Sequence, residues 1–297
     1  MFEEAQLYSP VTHDEDGKAV VHLGEEHPGF NDPAYRERRN EIATAATLWS
    51  PGEPLPHIDY LDVENEIWRT VSTELRDKHR KYACREFLEA KAALSLPEDH
   101  VPQLDEVTAR LKPLTGFEYH PAAGLVPLRE FYGSLGDRVF HSTQYIRHGA
   151  MPLYTPEPDL IHEVVGHGNL LASPRFAEIK RQAGLAAQRV ETDEALQFLA
   201  DVFWFTLEFG VVWEDGELRA YGAGILSSYG EIEEFRGADL RPLDILAMAS
   251  QEYDITKYQP ILFCADGMGE LEDVVGGFFE SFDDDVPARL RGVTATA

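Results

Sequence analysis

The stretch Tyr154-Thr-Pro-Glu-Pro-Asp-Leu-Ile-His-Glu-Val-Val-Gly-His167 decides how the chain is read. It sets His162 and His167 five residues apart inside an apolar run. A second apolar run, Phe203-Trp-Phe-Thr-Leu-Glu-Phe209, carries one carboxylate, Glu208. Two imidazoles and a carboxylate make a three-ligand set that leaves half an octahedron open. That suits non-haem Fe(II), which must bind O2 as well as protein. His162, His167 and Glu208 are therefore expected to hold iron. A zinc hydrolase is the competing reading, with His162 and Glu163 as ligand and general base. Its two histidines usually sit four apart on one helix face, and here the interval is five. The pair is also compatible with two satisfied core histidines. A lone buried carboxylate is costly, and either a metal or an arginine elsewhere in the chain would relieve it.

The sequence predicts a helix around the histidines. Thr155 is the expected N-cap, Pro156 the first helical residue, and Pro158 falls in the first turn, where amide protons have no partner. Glu157 and Asp159 place negative charge near the positive end of the dipole. Gly166 and Gly168 mark the far end. On an α-helix five residues turn by about 140°. The two rings then share no narrow stripe, and each must lean toward a metal lying to the side, past the small Gly166.

Composition narrows the class. The chain has 297 residues, 43% hydrophobic, enough for one large domain or two small ones. No apolar run reaches the ~18 residues of a membrane span, and Met1-Phe-Glu-Glu4 does not open like a secretory signal. Cys84 and Cys264 form no redox or metal motif and read as reduced thiols of a cytoplasmic protein. The net charge of −27 argues against nucleic acid and anionic membrane as partners. Only seven of the 26 basic residues are lysine. Excess acid with scarce lysine reads either as adaptation to high salt or as a merely acidic enzyme.

Along the chain, residues 1–30 are expected as a loose N-terminal arm, 31–283 as a single catalytic domain and 284–297 as a flexible tail. Helices are predicted from Ala34 to Trp49, Leu61 to Lys78, Tyr82 to Leu94, Val101 to Leu111 (closed by Lys112-Pro113), Pro127 to Leu135, Pro174 to Gly184 and Thr192 to Gly210. Arg138 to Tyr145 alternates like a strand, and Val211 to Ala220 reads as a hairpin about Asp215-Gly216. Ser227 to Phe235, Pro242 to Glu252 and Gly269 to Phe279 read as helices, and Ile261 to Cys264 as a strand. The fold class is mostly α with a few short strands (α+β).

Further runs flank the histidines: Tyr145-Ile-Arg-His-Gly149 before them, Trp204-Phe-Thr-Leu-Glu-Phe-Gly210 and Ala220-Tyr-Gly-Ala-Gly-Ile-Leu-Ser-Ser228 after. In this order the runs resemble the aromatic amino acid hydroxylases, iron-containing monooxygenases that use a tetrahydropterin. The resemblance is dense from Gly116 to Gln259 and loose in the flanks. It implies the catalytic-domain fold of that family and hydroxylation of an aromatic amino acid. The pterin would give two electrons, and iron with O2 would yield a ferryl oxidant that attacks the ring. Animal relatives carry extra regulatory and oligomerisation segments, so a chain of this length is expected to be a monomer like the bacterial forms.

The same resemblance implies roles for individual residues. Backbone at Gly124, Leu125 and Val126 would bind the pterin amide edge, Phe131 would stack on it, and His141, Ala200 and Phe203 would lie beside it. Glu163 would contact pterin or water rather than iron. Phe203 departs from the tyrosine of animal relatives, and Pro127 and Leu128 from small polar residues, which thins the pterin contacts. Arg147 would hold the substrate carboxylate by its guanidinium fork, unless it is spent on one of the many acids. Thr155 and Ser227 would help to bind the zwitterion, Trp204 and Pro158 would sandwich the ring, and Gly224 would leave space. Trp204, where tryptophan-hydroxylating relatives carry Phe, and Ile255, where tyrosine-preferring relatives carry an acid, point to L-phenylalanine, giving L-tyrosine. Tyrosine or tryptophan hydroxylation and a non-catalytic pterin-binding scaffold are the alternatives.

Overall fold

The computed structural model describes residues 9–255 and 257–292. Helices dominate, and the strands form two pairs and one sheet of four. The first pair, β1 (Val11–His13) and β2 (Ala19–Val21), is antiparallel. Its inner residues Ala19 and Val21, with Leu23, pack on Ala43 of α1 (Pro33–Leu48). Two side chains of α1 hold the hairpin's backbone: Thr44 Oγ1 accepts from Ala19 N–H at 3.0 Å, and Asn40 Oδ1 from Val21 N–H at 2.7 Å. Within the segment expected as an arm, the hairpin thus packs on α1 through Ala19, Val21 and Leu23, while residues 12–18 stay exposed. α1 itself begins as its sequence predicts, with Asp32 accepting from Ala34 and Tyr35 N–H and Pro33 in the first turn.

α2 (Asp62–Tyr82) buries Ile67, Val71, Leu75 and Lys78 at intervals of three and four, which gives it one inward face. α3 (Arg85–Leu94) and α4 (Leu104–Thr115) follow. Pro113 does not close α4. The buried stripe Leu104, Val107 and Leu111 holds the last turn in place, and Gly116, at φ 81°, ends it in the left-handed region. β3 (Glu118–Pro121) pairs in parallel with β4 (Val139–Ser142), with α5 (Leu128–Gly136) as the crossover. α6, residues 160–171, carries both histidines. α7 (Pro174–Arg189) runs past Gly184, its expected end. Gly184 is a packing residue: a Cβ there would fall 1.9 Å from the Gly136 nitrogen of α5.

α8 (Asp193–Phe203) continues into residues 204–208 and brings Glu208 inward. The hairpin β5 (Val211–Glu214) and β6 (Glu217–Ala220) turns at Asp215 and Gly216, both at positive φ, as a two-residue primed turn requires. The stretch expected as one helix from Ser227 to Phe235 is split into α9 (Ala223–Ser227) and α10 (Glu231–Glu234), with Gly230 at the break. The helix expected from Pro242 to Glu252 shrinks to α11 (Ile245–Met248), capped by Asp244. Its first residue, Pro242, belongs instead to β7 (Asp239–Pro242), an edge strand of the order β6-β5-β8-β7, where proline is tolerated. β8 (Ile261–Ala265) is central in that sheet. α12, residues 268–281, covers it, and α13 (Val286–Leu290) lies within the segment expected as a tail. Residues 293–297 of that tail lie outside the described residues.

Candidate active site

Prolines decide where α6 begins. A proline disfavours helical backbone at its predecessor, so Pro156 and Pro158 work against helix at Thr155 and Glu157, and the helix starts at residue 160. Thr155 is therefore no N-cap, and its hydroxyl donates to the Glu157 carbonyl at 2.8 Å. Asp159 caps instead, its Oδ1 accepting from His162 N–H at 3.2 Å. The helix also does not end at Gly166 and Gly168. From His162 to Gly168 it is a π-helix. At ~4.4 residues per turn, five residues carry the chain only about 50° past one full turn. The wider winding brings His162 and His167 to one face, which the α-helical angle would not. Gly166 lets that face lie on α9, since a Cβ would meet the Ala223 carbonyl oxygen at 2.8 Å. Trp204–Glu208 is a second π segment, so the helices that carry the two histidines and Glu208 are both π-wound at those residues.

The three side chains converge. His162 Nε2 and His167 Nε2 are 3.1 Å apart, and Glu208 lies 2.9 Å from His167 Nε2 and 3.8 Å from His162 Nε2. Donors ~2.1 Å from one ion and at right angles about it are about 3.0 Å apart. The set thus fits a single metal with open positions opposite, and a two-histidine, one-carboxylate donor set suits non-haem Fe(II). Glu163 also reaches within 4.8 Å of both rings. Glu208 is the nearer carboxylate and joins the two nitrogens directly, which leaves Glu163 beside the metal position.

Burial sets the charges. It pulls His162 down to about 4 and His167 well below the ordinary histidine range, each helped by a neighbouring positive group. It raises Glu208, and raises Glu163 well above a normal carboxyl with the Glu208 charge adding to the effect. Neutral imidazoles are what a metal needs. Behind them His162 Nδ1 lies 2.8 Å from Ser227 Oγ, and His167 Nδ1 lies 2.6 Å from Lys180 Nζ. Burial lowers the Lys180 amine to about 8, against the pull of Glu208 and Glu163.

A cavity of about 330 Å³ opens over this cluster. Its lining includes Arg147, Thr155, Pro158, Trp204, Gly224, Ser227 and Ile255 together with Gly124, Leu125, Val126, Phe131 and His141. Arg147 is in a bidentate pair with buried Asp159, Nε to Oδ2 at 2.9 Å and Nη2 to Oδ1 at 2.8 Å. The fork expected to hold substrate is therefore engaged. Among the described residues Nη1 makes no hydrogen bond, and it is the donor left for a carboxylate. Trp204 stacks on Tyr253 at 4.5 Å and 16° and leans on Phe209. The space that Gly224 leaves is filled by the Phe209 ring, 2.5 Å from where a Cβ would stand.

Two expected residues do not reach the cavity. Ala200 and Phe203 are fully buried on the face of α8 turned toward α5, where Phe203 meets Tyr132 edge-on at 4.9 Å. Three participants carry no role in the sequence reading: Asp159 as Arg147's partner, Arg39 and Lys180. Arg39 donates to Glu157 at 2.6 Å at the cavity wall. Lys180 had a signal, because Phe176, Lys180, Ala183 and Ala187 recur at helical spacing and place it on the buried face of α7.

No helix of the described residues is long and apolar enough to cross a membrane. A family model described as biopterin-dependent aromatic amino acid hydroxylase matches residues 14–296. A phenylalanine 3-hydroxylase of Streptomyces coeruleorubidus is 55% identical over 269 residues, 91% of this chain and 96% of that one. The phenylalanine-4-hydroxylase of Bos taurus is 41% identical over 262 residues, which is 86% of this chain but only 58% of the bovine one. Among solved structures, phenylalanine hydroxylase of Chromobacterium violaceum with iron(III) and 7,8-dihydrobiopterin superposes with a TM-score of 0.71 at 28% identity, covering 80% of this chain and 85% of that one.

Proposed function

The chain belongs to the biopterin-dependent aromatic amino acid hydroxylases, and from that premise we propose that it hydroxylates the ring of L-phenylalanine, using O2, Fe(II) and a tetrahydropterin. The observation that carries the reading is the meeting of His162, His167 and Glu208 at about the spacing one ion imposes. When bound, iron and pterin supply the electrons and the oxygen activation that no side chain can. The chain's own residues supply placement. Arg147, fixed by Asp159, offers a charge-assisted donor to the substrate carboxylate. Trp204, fixed by Tyr253 and Phe209, and Pro158 bound the slot for the substrate ring, and Ile255 offers no partner for a ring hydroxyl. Gly124, Leu125, Val126, Phe131 and His141 also line the cavity, and we assign them to the pterin. Glu163, whose carboxyl is raised by burial and by the Glu208 charge, lies where it can hydrogen-bond the cofactor or water.

Tyrosine is the product we propose. A second reading, hydroxylation at the 3-position, is favoured by the 55% identity to the Streptomyces 3-hydroxylase. Chromatography of the product against 4- and 3-hydroxyphenylalanine decides the ring position. Formation of neither from phenylalanine, while a zinc-loaded sample hydrolyses amides or esters, would overturn the hydroxylase reading. We further assign a single catalytic domain over residues 31–283, a monomer in solution and a cytoplasmic location. These assignments are supported by one continuous core across α2–α12 and by two buried free thiols.

A further inference from the structure

We propose that Lys180 is a positioning residue for His167, holding its ring so that Nε2 faces the metal; this rests on the metal reading above. Lys180 is fully buried on α7, and its Nζ lies 2.6 Å from His167 Nδ1. Among the described residues it makes no other hydrogen bond and no ion pair within 4.0 Å. The rings of Phe140 and Phe203 flank it at 5.6 and 5.9 Å. A buried amine without a counter-ion at contact distance is costly to keep. Folding gives no account of it at this position, since an apolar side chain would fill the same face of α7 beside Phe176 and Ala183.

The imidazole accounts for it. Which nitrogen of a histidine binds metal is set by the hydrogen bond the other one makes. His162 is backed by the hydroxyl of Ser227 on α9, and His167 by Lys180 on α7, whose Nζ, as the uncharged amine, accepts from the Nδ1–H that binding through Nε2 requires. Each ligand is thus braced from a different helix, and the 3.1 Å between the two Nε2 atoms depends on both braces. Without Lys180 no hydrogen-bond partner of Nδ1 remains among the described residues, and the His167 ring rests against Phe140 at 4.9 Å and His162 at 4.8 Å.

The test compares Lys180→Met, which keeps length and removes the polar atom, with Lys180→Gln, whose amide can still meet Nδ1. Affinity for Fe(II), and for Co(II) with its visible spectrum, is measured on full-length protein by titration. The methionine variant should bind each metal about 10–100-fold more weakly and show an altered Co(II) spectrum, while its Tm without metal stays equal or rises. Gln should restore most of the affinity. Unchanged affinity and spectrum in Lys180→Met overturn the proposal, as does a Gln variant as weak as Met. A wild-type chain that binds neither metal overturns the metal reading itself. Should Lys180→Met not fold, 15N-histidine NMR of the wild-type Zn(II) form decides. His167 bound through Nε2 with a slowly exchanging Nδ1–H supports the brace, and binding through Nδ1 contradicts it.

Discussion

At the scale of single residues, the site is built from buried polar groups that each answer another. Arg147 is read from sequence either as a substrate ligand or as half of a structural ion pair, and the geometry makes it both a partner of Asp159 and a wall of the cavity. Asp159 was legible only as a charge near a helix start, because its pairing spans twelve residues and a chain reversal that no local pattern encodes. Arg147→Lys keeps the charge and loses the two parallel N–H groups. We expect both a raised KM for phenylalanine and a lower Tm, with pterin affinity nearly unchanged. A lower Tm at constant KM would make Arg147 purely structural. Glu231 offers a test of burial. Its carboxyl accepts from Gln259 N–H at 2.8 Å, and burial pushes its pKa from 4.5 up to about 7. The folded chain then keeps a proton that the unfolded chain has lost between those values, so this group's contribution worsens as pH rises through 7. Glu231→Gln retains the acceptor and removes the penalty. Its stability advantage in denaturant unfolding should grow by roughly 1 kcal/mol between pH 6 and pH 8.5. An advantage that does not change with pH would refute the assignment.

At the scale of elements, the helices with clean apolar spacing were legible, and the departures share a cause. Pro156 and Pro158 were read as first-turn residues, yet each disfavours helical backbone at the residue before it, and the helix begins only at residue 160. Gly166, Gly168 and Gly184 were read as helix ends, yet they are contact points at which another backbone or side chain approaches. Single-sequence punctuation cannot tell a cap from a close approach, because both call for a missing side chain. The π winding that aligns the histidines was equally hidden, since no local spacing of residues marks where an α-helix widens. Gly166→Ala tests the seating of α6 on α9. The new methyl would press on the Ala223 carbonyl, which is backbone and cannot swing aside, and would move Ser227 away from His162. We expect a loss of roughly 1–3 kcal/mol in stability and a fall in kcat larger than the change in KM. Normal activity and Tm would show that the two helices can separate without consequence.

At the scale of the molecule, a net charge of −27 on 297 residues is the dominant surface property. Most ion pairs are exposed, as in Arg69–Glu66 and Arg80–Asp77, and contribute little each. The acids in excess of the bases repel one another. Added salt should therefore raise the Tm steadily toward molar concentrations. A flat or falling Tm would show that the acidic surface is not matched to high salt. Fold class and family were legible at this scale because several runs in fixed order specify more than any one of them. The neighbours Lys180 and Asp159 were not, because they depend on helices meeting in space.

The most direct test of the account is to load the purified chain with Fe(II) anaerobically and then add L-phenylalanine, a tetrahydropterin and O2. Metal content and hydroxylated product per O2 consumed are measured for the wild type and for His162→Ala, His167→Ala and Glu208→Ala. We predict about one hydroxyphenylalanine per O2 from the wild type, with loss of product and weakened Fe(II) binding in each variant. Normal product formation by any one of the three variants would contradict the assignment of that residue to the metal.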